Sequence, residues 1–203
     1  MFKKALICLL CCLALSARAE PTLMIVGDSL SAGYGLPQGK GWVDLLAERL
    51  RADKLGYRVI NASLSGETTL GGANRIEAAL IQHRPVVVVV ELGGNDGLRG
   101  LSLDSTRSNI QSMVASIRRN KAQPLLVGMQ LPPNYGTAYT RKFQGLFEEV
   151  AREQRVPLVP FMLAGFGDKR EYFQSDGIHP TIEAQQMILD NIWPVLRPML
   201  EKR

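Results

Sequence analysis

Hydrophobic positions along this chain follow two alternating rhythms. Short runs rich in β-branched residues, at 22–27 (TLMIVG), 57–63 (YRVINAS), 86–92 (VVVVVEL), 124–131 (PLLVGMQL) and 156–161 (VPLVPF), read as strands. Between them lie stretches whose apolar residues recur every three or four positions. In 42–54, Val43, Leu46 and Leu50 share one helical face with charges between them, and 71–84 halts before Pro85. The stretch 104–120 opens on Asp104 as an N-cap and closes on basic residues, as the helix dipole favours. Helices at 137–155 and 181–200 complete the set, the last with Thr181 as its N-cap and a kink at Pro194.

Strict alternation of strand and helix predicts an α/β fold, a doubly wound parallel sheet with helices on both faces. The run at 86–92 is apolar at successive positions, so it belongs at the buried centre of that sheet. Ligands in such sheets bind beyond the carboxyl ends of the strands. Candidate chemistry is therefore to be sought in the loop that follows each strand. A length of 203 residues suits one domain, and 46% hydrophobic against 21% charged residues excludes a disordered chain.

Residues 1–19 stand apart from this pattern. Lys3 and Lys4 precede an apolar run, and Ala17-Arg18-Ala19 forms a small-x-small cleavage site, which together read as a secretory signal peptide. The apolar run is about a dozen residues, against the roughly 20 that a spanning helix needs. A lipid anchor needs a cysteine just after the cleavage motif, whereas Cys8, Cys11 and Cys12 lie inside the run. The expected mature protein, 20–203, is thus exported without a membrane anchor, holds no cysteine, and depends on packing rather than disulfides. Removal of Lys3, Lys4 and Arg18 takes the basic count from 24 to 21 against 19 acidic residues, so the formal charge falls from +5 to +2. No basic stripe interleaved with aromatics points to nucleic acid.

Four loops carry candidate chemistry. GDSLSAGYG (27–35) sets Ser29 on a strand-to-helix turn, although Asp28 and Ser29 would also serve as simple helix caps. The pattern is not G-x-S-x-G, which argues against the α/β-hydrolase elbow. NASLSGETT (61–69) offers the unobstructed backbone N–H of Gly66, or a turn glycine chosen for its dihedrals. GGNDG (93–97) can aim the Asn95 amide into a cleft, or be a plain Asn-Asp-Gly turn. SDGIHP (175–180) spaces Asp176 and His179 so that the carboxylate reaches Nδ1 and leaves Nε2 to accept a proton. His83, at a helix end, reads as a solvated surface residue.

Together these loops hold the parts for acyl transfer: Ser29 as nucleophile, His179 as general base and Asp176 as its orienting carboxylate. The oxyanion donors are the backbone N–H groups of Ser29 and Gly66 and the side-chain amide of Asn95. GDSLS, the glycine of NASLSGETT, the asparagine of GGND and DGIHP also occur in the order that resembles the SGNH (GDSL) hydrolase family. Within it, GGNDGLRG and LPPNYG are most similar to the small periplasmic thioesterase, arylesterase and lysophospholipase group. The resemblance implies a three-layer α/β/α sandwich with a five-stranded parallel sheet, no cofactor or metal, and hydrolysis of acyl esters and thioesters. It also implies a mobile loop over 97–100, with Gly97, Leu98 and Arg99, bordering the acyl groove together with Asn134 of the 131–136 loop.

Competing readings are a deacetylase of cell-wall or capsule sugars and a non-catalytic binding module on the same fold. The first expects sugar-stacking aromatics, but Leu98, Leu101, Leu131, Pro132 and Pro133 lean apolar. The second expects a scrambled triad, and each member is in place. A single histidine among these loops and the absence of H-E-x-x-H disfavour a metal enzyme, and the absence of G-x-G-x-x-G disfavours a dinucleotide site. Nothing in the pattern calls for an obligate oligomer, so a periplasmic monomer acting on small acyl substrates is expected.

Overall fold

The computed structural model describes residues 20–201, so the expected signal peptide lies outside the described residues. Five strands, β1 (Thr22–Gly27), β2 (Arg58–Asn61), β3 (Val87–Glu91), β4 (Gln123–Val127) and β5 (Leu158–Val159), form one sheet in the order β2-β1-β3-β4-β5. Every pairing is parallel. The helices are α1 (Ser29–Ala32), α2 (Trp42–Ala52), α3 (Thr69–His83), α4 (Gly94–Leu98), α5 (Leu103–Arg119), α6 (Thr137–Gln154) and α7 (Ile182–Glu201). Short 3₁₀ turns occur at Pro133–Tyr135 and Arg170–Tyr172.

The chain moves from β1 outward to β2, then crosses back to β3 on the other side. Right-handed crossovers running in opposite directions must put their helices on opposite faces. Accordingly α2 packs with α7 on one face, where the Trp42 N–H donates to Gln185 Oε1 at 3.0 Å, while α3, α5 and α6 pack side by side on the other. β1 and β3 are buried along their whole length, which explains the unbroken apolar run of β3. This is the three-layer sandwich with the five-stranded parallel sheet, and its switch point falls between β1 and β3.

Several element ends differ from the periodicity. β5 is confined to two residues because Pro157 and Pro160 bracket it and proline has no N–H for the ladder. β2 stops at Asn61, whose Oδ1 accepts the Ser63 N–H at 3.1 Å and turns the chain out of the sheet. α5 begins at Leu103 rather than Asp104: Ser102 is the cap, its Oγ accepting the Ser105 N–H at 3.3 Å. Asp104 sits in the first turn, where its charge meets the helix dipole. GGNDG is not a bare turn, since Gly94 opens the one-turn helix α4. α7 runs through Pro194 and Pro198, its buried stripe of Ile188, Ile192 and Leu196 packed on the sheet core.

Candidate active site

β1 ends at Gly27, and Asp28 then caps α1 by accepting the Leu30 N–H on Oδ1 at 3.0 Å. Ser29 is therefore the first residue of a one-turn helix at the carboxyl end of the sheet. The loop from β5 to α7 brings His179 to face it. That loop is pinned by a bridge between Phe173 and Pro180 and by the Gln174 N–H donating to His179 O at 2.8 Å. Arg170 grips it from outside, donating to Phe173 O at 2.7 Å and Ser175 O at 3.0 Å. Gln174 Nε2 reaches across to Tyr34 O at 2.9 Å, and the Tyr34 ring stacks 4.5 Å from the imidazole.

His179 Nδ1 lies 2.7 Å from Asp176 Oδ2, and Nε2 lies 2.9 Å from Ser29 Oγ. A carboxylate accepts only, so Nδ1 carries the hydrogen and the Nε2 lone pair faces the serine. Asp176 Oδ1 accepts the N–H groups of Ile178 at 2.8 Å and His179 at 3.0 Å. Partial burial pushes the Asp176 carboxyl up, but the His179 ring and these backbone donors outweigh it and hold it at about 2. The aspartate is thus ionised and held in place against the imidazole.

The other two loops close the site. Gly66 has φ +79, so glycine is required by its dihedrals as well as by any use of its N–H. Asn95 Nδ2 donates to Asp28 Oδ2 at 3.1 Å and to Glu67 O at 3.0 Å, which engages both amide hydrogens and orients the group. Asp96, buried beside it, accepts from Thr69 N at 2.9 Å and Thr69 Oγ1 at 2.6 Å and ties the start of α3 to α4. The loops of Gly66 and Asn95 are consequently bonded to each other at both Glu67 and Thr69.

Of the residues expected to border a substrate, Leu98 is half-buried, while Arg99 and Asn134 are exposed. Arg99 is not a free cation on this rim: Nη2 donates to Gly66 O at 3.0 Å, strapping the 97–100 loop to the β2 loop. Gly97 is buried, with Phe143 and Leu131 so near that a Cβ would stand 2.6 Å and 2.8 Å from them. Tyr135 Oη donates to Leu98 O at 3.2 Å and Tyr139 Oη to Gly97 O at 3.4 Å, which joins the two expected groove loops. Exposed apolar side chains gather on the same rim, among them Tyr34, Leu64, Leu101, Tyr135, Ile178 and Ile182.

Of two acidic residues under the serine, Glu91 was not singled out from the sequence, and Asp28 was read there only as a helix cap, which it also is. Glu91 and Asp28 are 1% and 3% exposed. Burial raises Asp28 to about 6, although the Leu30 N–H, the charge of His179 and Asn95 all pull it down. Burial, and then the charge of Asp28, push Glu91 well above the usual carboxylate range. The available signal was a glutamate inside an otherwise apolar central strand, where an ionisable group is rarely found without a purpose. Among the described residues no group of three or more His, Cys, Asp or Glu is placed to hold a metal ion, and no helix is long and apolar enough to cross a membrane.

Residues 25–187 match the model of the GDSL-like Lipase/Acylhydrolase family. The chain is 46% identical over 193 residues to Esterase TesA of Pseudomonas aeruginosa, covering 95% of this chain and 96% of that protein. It is 40% identical over 188 residues to Thioesterase 1/protease 1/lysophospholipase L1 of Escherichia coli, covering 93% of this chain and 89% of that protein. A crystal structure of TesA aligns with TM-score 0.86 at 47% identity over 88% of this chain and 99% of that one. The esterase EstA from Pseudoalteromonas sp., in a structure inhibited by monoethylphosphonate, aligns with TM-score 0.85 at 36% identity over 90% of this chain and 100% of that one.

Proposed function

The chain belongs to the GDSL-like lipase/acylhydrolase family and is a hydrolase of the esterase and thioesterase kind; from that premise we propose that it cleaves acyl esters and thioesters through an acyl-enzyme on Ser29. The observation that carries this reading is the relay from Asp176 through His179 to Ser29, with steps of 2.7 Å and 2.9 Å. The 2.9 Å contact lies within the range for proton transfer from the serine to its base, and the 2.7 Å contact is the hydrogen bond by which Asp176 orients that base.

Ser29 Oγ attacks the acyl carbonyl carbon while its proton passes to His179 Nε2, and Asp176 stabilises the imidazolium that forms. The carbonyl oxygen becomes an oxyanion facing the N–H groups of Ser29 and Gly66 and the amide of Asn95. Because both Asn95 hydrogens already have acceptors, the oxyanion shares one of them in a three-centre bond. When the intermediate collapses, the C–O or C–S bond breaks and the leaving group takes the proton from Nε2. Water repeats the sequence on the acyl-enzyme and releases the acid and Ser29. No step calls for a metal or a cofactor.

The exposed aliphatic side chains of Leu64, Leu101, Ile178 and Ile182 on the strand-end loops support acyl chains over sugars as the larger part of the substrate, in line with the aryl ester, acyl-CoA and lysophospholipid classes. Leu98, Arg99 and Asn134 border that chain in this reading, with Gly97 packing behind them. The leader at 1–19 supports export to the periplasm, and a monomer suffices because one chain supplies every group used. The test is covalent: a fluorophosphonate labels Ser29 in the wild type and not in Ser29→Ala. A folded Ser29→Ala protein with full activity overturns the assignment. A series from acetyl to palmitoyl esters, with matching thioesters and lysophospholipids, then reads the acyl preference, and an acetyl-only profile promotes the sugar deacetylase instead.

A further inference from the structure

Glu91 ends the central strand with its side chain buried under the nucleophile turn, and the acyl-transfer steps leave it without a part. Its Oε2 lies 2.6 Å from Ser31 Oγ and 3.4 Å from the Asp28 nitrogen. Gly27 makes room for it, since a Cβ there would stand 2.7 Å from that same oxygen and from Ser31 Oγ. Asp28 in turn takes the Leu30 N–H on one carboxylate oxygen and the Asn95 amide on the other. The path from Glu91 to the groups that act on substrate is therefore one residue long.

We propose that Glu91 is a positioning residue for acyl transfer: its carboxyl group holds Asp28 and Ser31, on either side of Ser29, and so fixes the direction of Ser29 Oγ and, through Asp28, the amide of Asn95. This rests on the acyl-transfer reading of the site. Taking an ionised carboxyl out of water costs several kcal/mol. One hydroxyl donor and one long N–H contact do not offset that cost. Asp28, close by, adds repulsion, and the balance keeps the proton on Glu91. A neutral acid in this seat differs from both alternatives. An apolar side chain would leave Ser31 Oγ and the Asp28 N–H without their partner. An ionised one would set a second negative charge beside Asp28, competing with it for the Asn95 amide and the His179 imidazolium.

Three readouts on Glu91→Gln and Glu91→Leu test this: kcat and KM, the rate of fluorophosphonate labelling at Ser29, and the infrared spectrum at neutral pH. Glutamine keeps shape and hydrogen bonding without charge, so kcat and labelling stay within about 3-fold of wild type. Leucine keeps volume alone, so both fall about 10–100-fold at unchanged KM, the size expected when a reacting group is misplaced by up to an ångström. Its melting temperature falls as well, because the buried Ser31 hydroxyl and Asp28 N–H lose their acceptor, so labelling is read well below the transition, where the variant is fully folded and lost stability cannot account for the slower rate. The wild type shows the carbonyl stretch of a protonated carboxyl group, and Glu91→Gln loses that band. Glu91→Leu labelling at the wild-type rate overturns the proposal, and so does Glu91→Gln slowed as much as leucine. If the leucine variant does not fold, glutamine and the infrared band decide: a slowed Glu91→Gln, or a wild type without the band, ends it. A wild type that does not label at Ser29 sinks the acyl-transfer reading itself, whereas equal labelling of wild type and variants sinks only the role of Glu91.

Discussion

The two ends of the sheet turn the chain by opposite means. Among the described residues, nine glycines have positive φ, from Gly33 to Gly177: five lie in connections from a strand to the next helix, and Gly33, Gly35, Gly39 and Gly100 follow the one-turn helices α1 and α4, so all nine fall in the crossovers at the carboxyl end. Four other residues have positive φ, Lys54, Arg84, Lys121 and Arg155, and each lies in a connection from a helix to the next strand, at the amino end. The amino end closes helices with side chains whose charge suits the helix dipole, at some cost in backbone strain. The carboxyl end keeps its backbone bare, which lets loops come close, as at Gly93, where a Cβ would stand 2.9 Å from Phe147. It also holds the buried carboxyl pair and the serine–histidine contact. One end is built to persist, and the other is built to react.

The sharpest division of labour is expected at His179. His179→Ala should lower kcat by about 10⁴–10⁶, while thermal unfolding moves little, because the half-buried ring contributes mainly its contacts with Asp176, Ser29 and Tyr34. A melting temperature that drops as steeply as the rate would erase the contrast between the two ends. Asn95→Ala comes next, with kcat lower by about 10²–10³ for the loss of one oxyanion donor. Its stability should fall by only about 1 kcal/mol, since Asp28 keeps the Leu30 N–H when the Asn95 amide is lost. Steady-state kinetics beside urea denaturation separate the two effects, and a large loss of stability with kcat unchanged would make Asn95 a turn residue.

How much of this was legible beforehand follows the same division. The alternation of elements was, because burial on both faces writes an unbroken apolar run at 86–92 and amphipathic spacing at 42–54. The grouping of Ser29, Gly66, Asn95, Asp176 and His179 was also legible, because parallel strands must deliver their following loops to one rim. The ends of β2 and β5 were less so, since they depend on a side-chain turn at Asn61 and on prolines that a hydropathy pattern reads as apolar. Both Ser102 and Asp104 can cap a helix, and only the tertiary placement of Leu103 chooses between them. The bond of Arg99 to Gly66 O joins residues 33 positions apart and leaves no periodic trace. Glu91 was hidden for the same reason, and Asp28 showed only its part as a helix cap. Neither letter records that the other carboxyl group stands beside it.

That pair predicts a trade between stability and rate. Asp28 in the folded protein holds its proton up to about pH 6, above the ordinary value of 3.8, so the folded state binds more protons between these limits. The contribution to stability is fully present below about pH 4 and is lost as pH rises through 6; two pKa units correspond to something on the order of 3 kcal/mol. Asp176 behaves oppositely: its lowered pKa stabilises the fold above about pH 4, and that gain is lost as pH falls toward 2. Asp28→Asn should therefore be more stable than wild type above pH 6 and should flatten the stability profile between pH 4 and 6. Its kcat should fall about 10–100-fold, since the anionic acceptor that orients Asn95 is gone. A variant that is both less stable at pH 8 and fully active would refute the account of Asp28 as a strained orienting group.

The smallest effects belong to the amino end. Arg84 closes α3 at φ 45 and Arg155 closes α6 at φ 50, with their N–H groups bonded to Leu80 O and Ala151 O, while Lys54 and Lys121 turn the chain just after α2 and α5. A side chain in this conformation costs about 1–2 kcal/mol that glycine avoids. Its charge at the helix terminus returns about 0.3–1 kcal/mol, and glycine gives back part of its advantage through the entropy of the unfolded chain. Each replacement by glycine should therefore gain about 0.5 kcal/mol on balance. Lys121 and Arg155 both bond to Arg118, so that pair is the one that can couple; apart from it the gains should add, to roughly 2 kcal/mol, or about 4–8 °C in Tm for a domain of this size. The gain should grow in high salt, which screens the charge–dipole attraction but leaves the strain untouched. Because none of the four lies on the reactive rim, kcat and KM should not change. A quadruple variant that is stabilised but slowed would mean that the amino end takes part in catalysis after all.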